Sequence, residues 1–379
     1  APIAARQISP SGVEDSTNRR RPGASLRYDS RVSGVPRVSI LLPVRDAAAS
    51  LPRCLDSLRA QTFPDWECLA VDDGSCDGTA ELLREASAAD PRFRPLAVPA
   101  PAGIVAALEM ARLAARAPLL LRQDADDASD PERIERQVRA IDEAGGDLAL
   151  LGCRVRVPGA VTDGMRRYLD WLDACVTPED CAREIWIESP LVHPTVLARA
   201  GAIAAAGGYR DRLWPEDYDL WLRVHRAGGR MANLPDRLYE WNDRPDRLSR
   251  TDPRYAPESF LRCRLHHLRR WLATRAGPDR PLVVWGAGRD GRRFVREWDR
   301  EASGEGPPAP PVVAFVDIDP EKVGRSRFGR PVLDFAAARA GFPGAFYLAA
   351  VGVAGARELI RELLREAGMV ETVDFVCVH

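Results

Sequence analysis

VDDGSCDGT at residues 71–79 and QDADD at 123–127 place two groups of carboxylates about fifty positions apart, each at the end of an apolar run. WECLAVDD (66–73) reads as a buried strand running into Asp72 and Asp73, after which Gly74 and Ser75 turn the chain and Asp77 caps a helix beginning near Thr79. APLLLRQDADD (117–127) repeats the scheme. Ligands of an open parallel sheet sit outside the carboxyl ends of its strands, so Asp72, Asp73, Asp124 and Asp126 are expected to converge on one crevice. Their mutual repulsion calls for a cation, and the place suits a nucleotide with its metal.

The donor set narrows that cation. One or two carboxylates together with substrate phosphates suit Mg2+ or Mn2+, whereas a structural zinc site needs Cys or His at short spacing, which the chain lacks. An arbitrary Asp-x-Asp is a solvated turn far more often than a metal site. Here the second acidic strand end at matching depth favours the metal, with Asp127 and Asp130 read as local caps of a helix that Pro131 starts. The pair Glu216-Asp217 in PEDYDLWLR (215–223) begins an amphipathic helix, where acids complement the dipole whatever else they do.

VSILLPVRD (38–46), VDDGSCDGT, LLRQDADDASDPERIERQ (120–137) and PEDYDLWLR, in this order, resemble the successive motifs of family-two glycosyltransferases over roughly residues 36–255. The resemblance implies the GT-A fold, a nucleotide-diphosphate sugar donor, a divalent metal at the Asp-x-Asp, and inversion at the anomeric carbon. Carried onto this chain, it sets base and ribose against Pro43 and Asp72 or Asp73, Asp124 near the ribose or metal, and Asp126 on the metal. A UDP-sugar heads the candidates, because a carboxylate accepts from uracil N3–H and from ribose hydroxyls. The resemblance makes Asp217 the general base toward the acceptor hydroxyl, with Glu216 beside it. His193, in an -HPT- run before GGYR, stands near acceptor or diphosphate, and Arg247 and Arg250 are candidate diphosphate ligands among Arg244, Asp243 and their neighbours. At the loop 99–105 many relatives carry a polar residue where this chain has Ala102 before Gly103, so the donor contact there rests on Gly103 itself.

These residues need an α/β scaffold. The expected architecture is a flexible tail over 1–35, a GT-A domain of mostly parallel sheet flanked by helices over 36–255, a helical linker over 256–280, and a smaller Rossmann-like α/β domain over 281–379. In the last, the apolar run 282–285 enters Gly286-x-Gly288-x-x-Gly291 and a helix, and VVAFVDID (312–319) ends in Asp317, where a dinucleotide fingerprint places its ribose-binding acid. The intervening insert and the short length argue against a complete Rossmann domain. Tight βα turns account for the glycines as well as a bound nucleotide does, which leaves docking or acceptor positioning as the favoured role.

The 379 residues carry a formal net charge of −1, which gives no case for nucleic acid as a partner. Eight cysteines without paired spacing suit a reducing cytoplasm, and no apolar stretch approaches the length of a membrane span. An Arg-rich stretch over 262–275 offers peripheral contact with the inner face of a membrane, where a lipid-linked acceptor would lie; a glycan is the other expected acceptor. Without spans or a QxxRW motif, addition of one or a few sugars is expected rather than processive synthesis. An oxidoreductase or epimerase run by the C-terminal glycines would need hydride-transfer residues that are missing. A catalytically silent scaffold would need a lost base or a lost Asp-x-Asp.

Overall fold

The computed structural model describes residues 34–98, 101–244, 247–275, 277, 279–302, 310–353 and 355–379. The tail expected over 1–35, up to residue 33, lies outside them, as do Asp246 and most of the 301–311 insert. The first half of the chain forms β1 (Val38–Val44), α1 (Leu51–Arg59), β2 (Trp66–Asp72), α2 (Thr79–Ala89), β3 (Phe93–Ala97), α3 (Ile104–Ala114), β4 (Leu119–Arg122), β5 (Ala128–Ser129), α4 (Arg133–Glu143) and β6 (Leu148–Arg156). There follow α5 (Asp163–Ala174), α6 (Pro178–Glu184), β7 (Leu197–Arg199), α7 (Ala200–Ala205), α8 (Glu216–Arg226), β8 (Arg230–Glu240), α9 (Leu248–Thr251) and α10 (Pro257–Arg275). The remainder is β9 (Leu282–Trp285), α11 (Arg289–Ala302), β10 (Val312–Val316), β11 (Ser326–Arg327), β12 (Arg330–Leu333), α12 (Phe335–Gly341), β13 (Phe346–Ala349), α13 (Ala356–Glu366) and β14 (Phe375–Cys377).

The first eight strands make one sheet in the order β3-β2-β1-β4-β7-β6-β8-β5. Its β3-β2-β1-β4 half is parallel, and β1 and β2 are apolar along their length because helices cover both faces. The chain winds outward from β1 through β2 to β3 and then returns to β4 on the other side. That reversal opens a crevice at the carboxyl ends of β1, β2 and β4, where the acidic runs lie. Beyond it β7 runs antiparallel to β4 and β6, and the two-residue β5 pairs with Ala128 opposite Glu240 and Ser129 opposite Tyr239, so β8 closes over the 123–127 loop.

The second sheet, β11-β12-β10-β9-β13-β14, is parallel apart from β11. Gly286 and Gly291 are fixed by its geometry. Gly286 has φ of +112°, and a Cβ on Gly291 would stand 1.8 Å from the Gly286 carbonyl oxygen. A Cβ on Gly288 meets nothing within 4 Å.

The segment expected as a linker is α10, and it is packed rather than spanning. Cys263, Leu265, Leu268 and Leu272 are fully buried, and Trp271 packs tilted against Trp186 and edge-on to Phe346 at ring-centroid distances of 5.1 and 6.1 Å. Asp219 on α8 accepts from Arg223 at 2.8 Å and from the His267 ring of α10 at 2.9 Å. A single apolar cluster runs from Leu41 through α10 to Val378, so Val35–His379 form one compact unit. The Arg-rich stretch 262–275, expected as a peripheral membrane contact, is divided between core and surface, with Arg262 and Arg275 exposed. Arg264 and Arg269 are buried and donate to backbone carbonyls. Among the described residues no helix is long and apolar enough to cross a membrane.

Candidate active site

Each acidic strand end has its own support. Asp72 takes the backbone N–H of Ser75 at 3.0 Å and its hydroxyl at 2.5 Å, which shapes the turn after β2. Asp73 takes the N–H groups of Ala102 at 2.7 Å and Gly103 at 3.0 Å, so the amide of Gly103 serves this carboxylate and holds the loop before α3. Pro43 is half-buried beside them, on β1 opposite Val71.

At the end of β4 the buried guanidinium of Arg122 donates to Asp124 at 2.7 Å. Burial drives the Asp124 carboxyl upward, but the charges of Arg122, Arg247 and His193 prevail and hold it below the usual range. Asp126 is raised by burial and by the charge of Asp124, and burial with both neighbours pushes Asp127 up to about 8. Asp127 was read from the sequence as a local cap. It is instead 1 % exposed, with one oxygen accepting from the Asn242 amide at 2.7 Å and the other buried without a hydrogen-bond partner. Carboxylate oxygens of Asp124, Asp126 and Asp127 lie within 4.8 Å of one another. This all-oxygen set, with an orphaned buried acceptor and two carboxyls destabilised as anions, fits a hard divalent cation.

Beneath the loop lies a support that has no local sign in the sequence. The fully buried Arg133 donates to Gln123 Oε1 at 3.0 Å, Ser129 Oγ at 2.9 Å, the Arg122 carbonyl at 3.0 Å and the Pro194 carbonyl at 2.8 Å. The acidic loop is thus tied to the turn that carries His193. That imidazole bonds the Tyr209 hydroxyl through Nε2 at 3.1 Å and stands 3.6 Å from Glu216 through Nδ1. A positive charge at this ring would favour the anionic forms of Asp124, Glu216 and Asp217 alike.

Glu216 and Asp217 open α8 but differ in surroundings. Glu216 is 1 % exposed and accepts from the Tyr255 hydroxyl at 2.7 Å; against its burial, His193 and Tyr255 hold it below the usual carboxylate range. Asp217 is half-buried, and burial with the neighbouring Glu216 charge raises it to about 6. Two adjacent carboxylates pushed apart in this way give one fixed anion and one group able to take a proton near neutrality.

Of the two arginines expected at the diphosphate, Arg247 lies over Trp241 at 4.3 Å from the ring centroid, and its charge reaches Asp124 and Asp126. Arg250 turns to Asp243 at 2.7 Å in the surface loop, while Arg244 stands 3.5 Å from Asp126. Gly286, Gly288, Gly291 and Asp317 belong to the second sheet. Asp317 is occupied there, accepting from the Ala287 amide at 2.9 Å and the Asp319 amide at 3.0 Å with Lys322 at 3.4 Å.

A sheet of this order, with acids at the ends of the two strands that flank β1 and a carboxylate pair opening a later helix, is that of the GT-A fold. The chain matches TarS 1-349 of S. aureus, solved in complex with UDP-GlcNAc, at a TM-score of 0.50 and 18% identity over 70% of this chain and 72% of that one. Residues 39–181 match the family model described as Glycosyl transferase family 2, which together with the fold and the relatives below supports a family-two glycosyltransferase. Similar relatives include EpsE of Bacillus subtilis, 28% identical over 237 residues (60% of this chain, 80% of the relative). Another is the amylovoran biosynthesis glycosyltransferase AmsE of Erwinia amylovora, 29% identical over 204 residues (53% and 73%).

Proposed function

We propose that the protein is a metal-dependent, inverting transferase that moves one sugar from a nucleotide-diphosphate donor to an acceptor hydroxyl. The observation that carries this is the tie from the loop of the Asp124-Asp126-Asp127 cluster through Arg133 to the Pro194 carbonyl, beside the His193 that stands 3.6 Å from Glu216, the neighbour of the half-buried Asp217. Asp72 and Pro43 would face base and ribose, a UDP-sugar being the first choice because TarS was solved with UDP-GlcNAc. Asp124, Asp126 and Asp127 would hold Mn2+ or Mg2+, which when bound neutralises the diphosphate as it departs. Arg247 adds positive charge on the same side.

At the reacting centre the acceptor oxygen attacks C1 of the sugar and its proton passes to Asp217. The C1–O bond to the diphosphate breaks on the opposite face, and the nucleoside diphosphate leaves with the electron pair. Glu216, already bonded to Tyr255 and facing His193, keeps its charge and positions this carboxylate. The acceptor is read as a glycan or lipid-linked saccharide, since the AmsE relative is named for polysaccharide assembly. Release of nucleoside diphosphate from a panel of nucleotide sugars, by wild type and by Asp217→Asn, tests the reading. Equal turnover by the two refutes it.

A further inference from the structure

A cavity of about 280 Å3 opens where α10 meets the carboxyl ends of β13 and β14, with Glu188, Tyr255, Arg264, Asp290, Arg293 and Phe294 in its walls. Its location is informative on both sides. Toward the first sheet, Tyr255 is the residue whose hydroxyl holds Glu216, and Glu188 is close enough for the Asp217 charge to act on it. Toward the second, the strand order reverses between β9 and β13, so the cavity lies at that sheet's own switch point, where α/β sheets bind ligands.

The cavity is also built for polar recognition. Arg264 is 9 % exposed and donates through one nitrogen to the carbonyls of Trp186 at 3.2 Å, Ile187 at 2.7 Å and Val378 at 2.5 Å. Its Nε is buried and unpartnered. A buried donor without an acceptor is costly unless something arrives to bond it. Carboxylates (Glu188, Asp290) and guanidinium groups (Arg264, Arg293) share the lining with the rings of Tyr255, Phe260 and Phe294. Such a set matches a sugar ring, whose hydroxyls both donate and accept and whose C–H face lies on an aromatic ring. Asp317, the acid that a dinucleotide's ribose would need, is not in the cavity's walls and already accepts a backbone amide on each oxygen.

We infer that this cavity seats the terminal sugar of the acceptor, so that the second sheet is the acceptor-recognition half of the enzyme, with Asp290 and Arg293 as its specificity residues. The inference rests on the assignment of Asp217 as base, because only then does a sugar held beside Tyr255 and Glu188 present its hydroxyl to the reaction. Arg293 pairs at the rim with Glu258 of α10 at 2.8 Å, and both specificity residues keep solvent exposure, so their replacement spares the core.

The test uses the full chain with Mn2+ and whichever nucleotide sugar it hydrolyses, offered methyl glycosides of glucose, galactose, mannose, N-acetylglucosamine and glucuronic acid. At least one glycoside should raise nucleotide release above the hydrolysis rate. Asp290→Ala and Arg293→Ala should each raise the KM for that glycoside about tenfold, a loss of about 1.4 kcal/mol, with a falling ratio of transfer to hydrolysis. The inference is overturned if no glycoside stimulates an enzyme that hydrolyses its donor, or if both variants, folded by circular dichroism, keep the wild-type KM. An enzyme that turns over no nucleotide sugar at all refutes the transferase reading and this inference with it.

Discussion

Replacing Asp217 by Asn should stabilise the protein and disable it at once. Burial and the Glu216 charge push the carboxyl up to about 6 in the folded state from its ordinary 3.8, so the native protein binds this proton more tightly than the unfolded chain does. A raised carboxyl lowers stability as pH climbs from about 4 to about 6, and above that range the native state carries the full cost of a half-buried anion. Roughly two pKa units at about 1.4 kcal/mol each give an upper bound of about 3 kcal/mol, which solvent at this half-buried site reduces. Asparagine is nearly isosteric and uncharged. In urea titrations Asp217→Asn should therefore exceed wild type in midpoint at pH 8, with the difference shrinking toward pH 4. Loss of the proton acceptor should lower kcat by roughly 10²-fold or more while donor affinity stays close to wild type. The kcat/KM of wild type should rise through pH 6 as Asp217 ionises. A variant less stable than wild type at pH 8, or one with unchanged turnover, would refute the assignment.

Asp127→Asn should weaken donor binding in the presence of Mn2+ but not in EDTA, measured by calorimetry with a nucleotide sugar; equal affinity in both media would mean that Asp127 stands outside the metal set. Arg133→Leu removes the donor beneath the 123–127 loop, and should cost on the order of 1–3 kcal/mol for each buried acceptor left unpaired, read as a lower urea midpoint; a stability matching wild type would deny that support role. Truncation before Pro281 strips the second sheet from α10 and exposes Trp271 and its neighbours, so the shortened chain should aggregate or bind a hydrophobic dye. A monodisperse, cooperatively unfolding fragment would show that the shared cluster is dispensable.

Where the sequence carried the site, it did so through local pattern. Apolar runs ending in Asp72-Asp73 and in Asp124-Ala-Asp126 announce buried strands and their acidic ends in a few residues each, and β2 and β4 follow those bounds closely. The Gly286-Ala-Gly288 turn is legible as strand, turn and helix for the same reason. Asp127 was not legible, because its role depends on the Asn242 amide delivered by β8 over a hundred residues later. Arg122 left a faint sign, a cation closing an apolar strand two residues before an Asp. α10 misleads by composition: its arginines suggest a surface helix, yet Arg264 and Arg269 are buried and donate to backbone carbonyls of distant segments. The wall that Tyr255 and Glu188 share with Asp290 and Arg293 joins three separated stretches of chain, and no periodicity in any one of them records it.

The most direct test of the central claim is nucleoside diphosphate release from UDP-, GDP- and dTDP-sugars, assayed with Mn2+ and with excess EDTA for wild type, Asp126→Asn and Asp217→Asn. Wild type should turn over at least one donor with Mn2+ and none in EDTA. Asp126→Asn should lose both turnover and metal-dependent binding, and Asp217→Asn should bind the donor as wild type does while failing to turn it over. Turnover that survives EDTA, or that survives in either variant at the wild-type rate, would contradict a metal-held donor attacked with Asp217 as base.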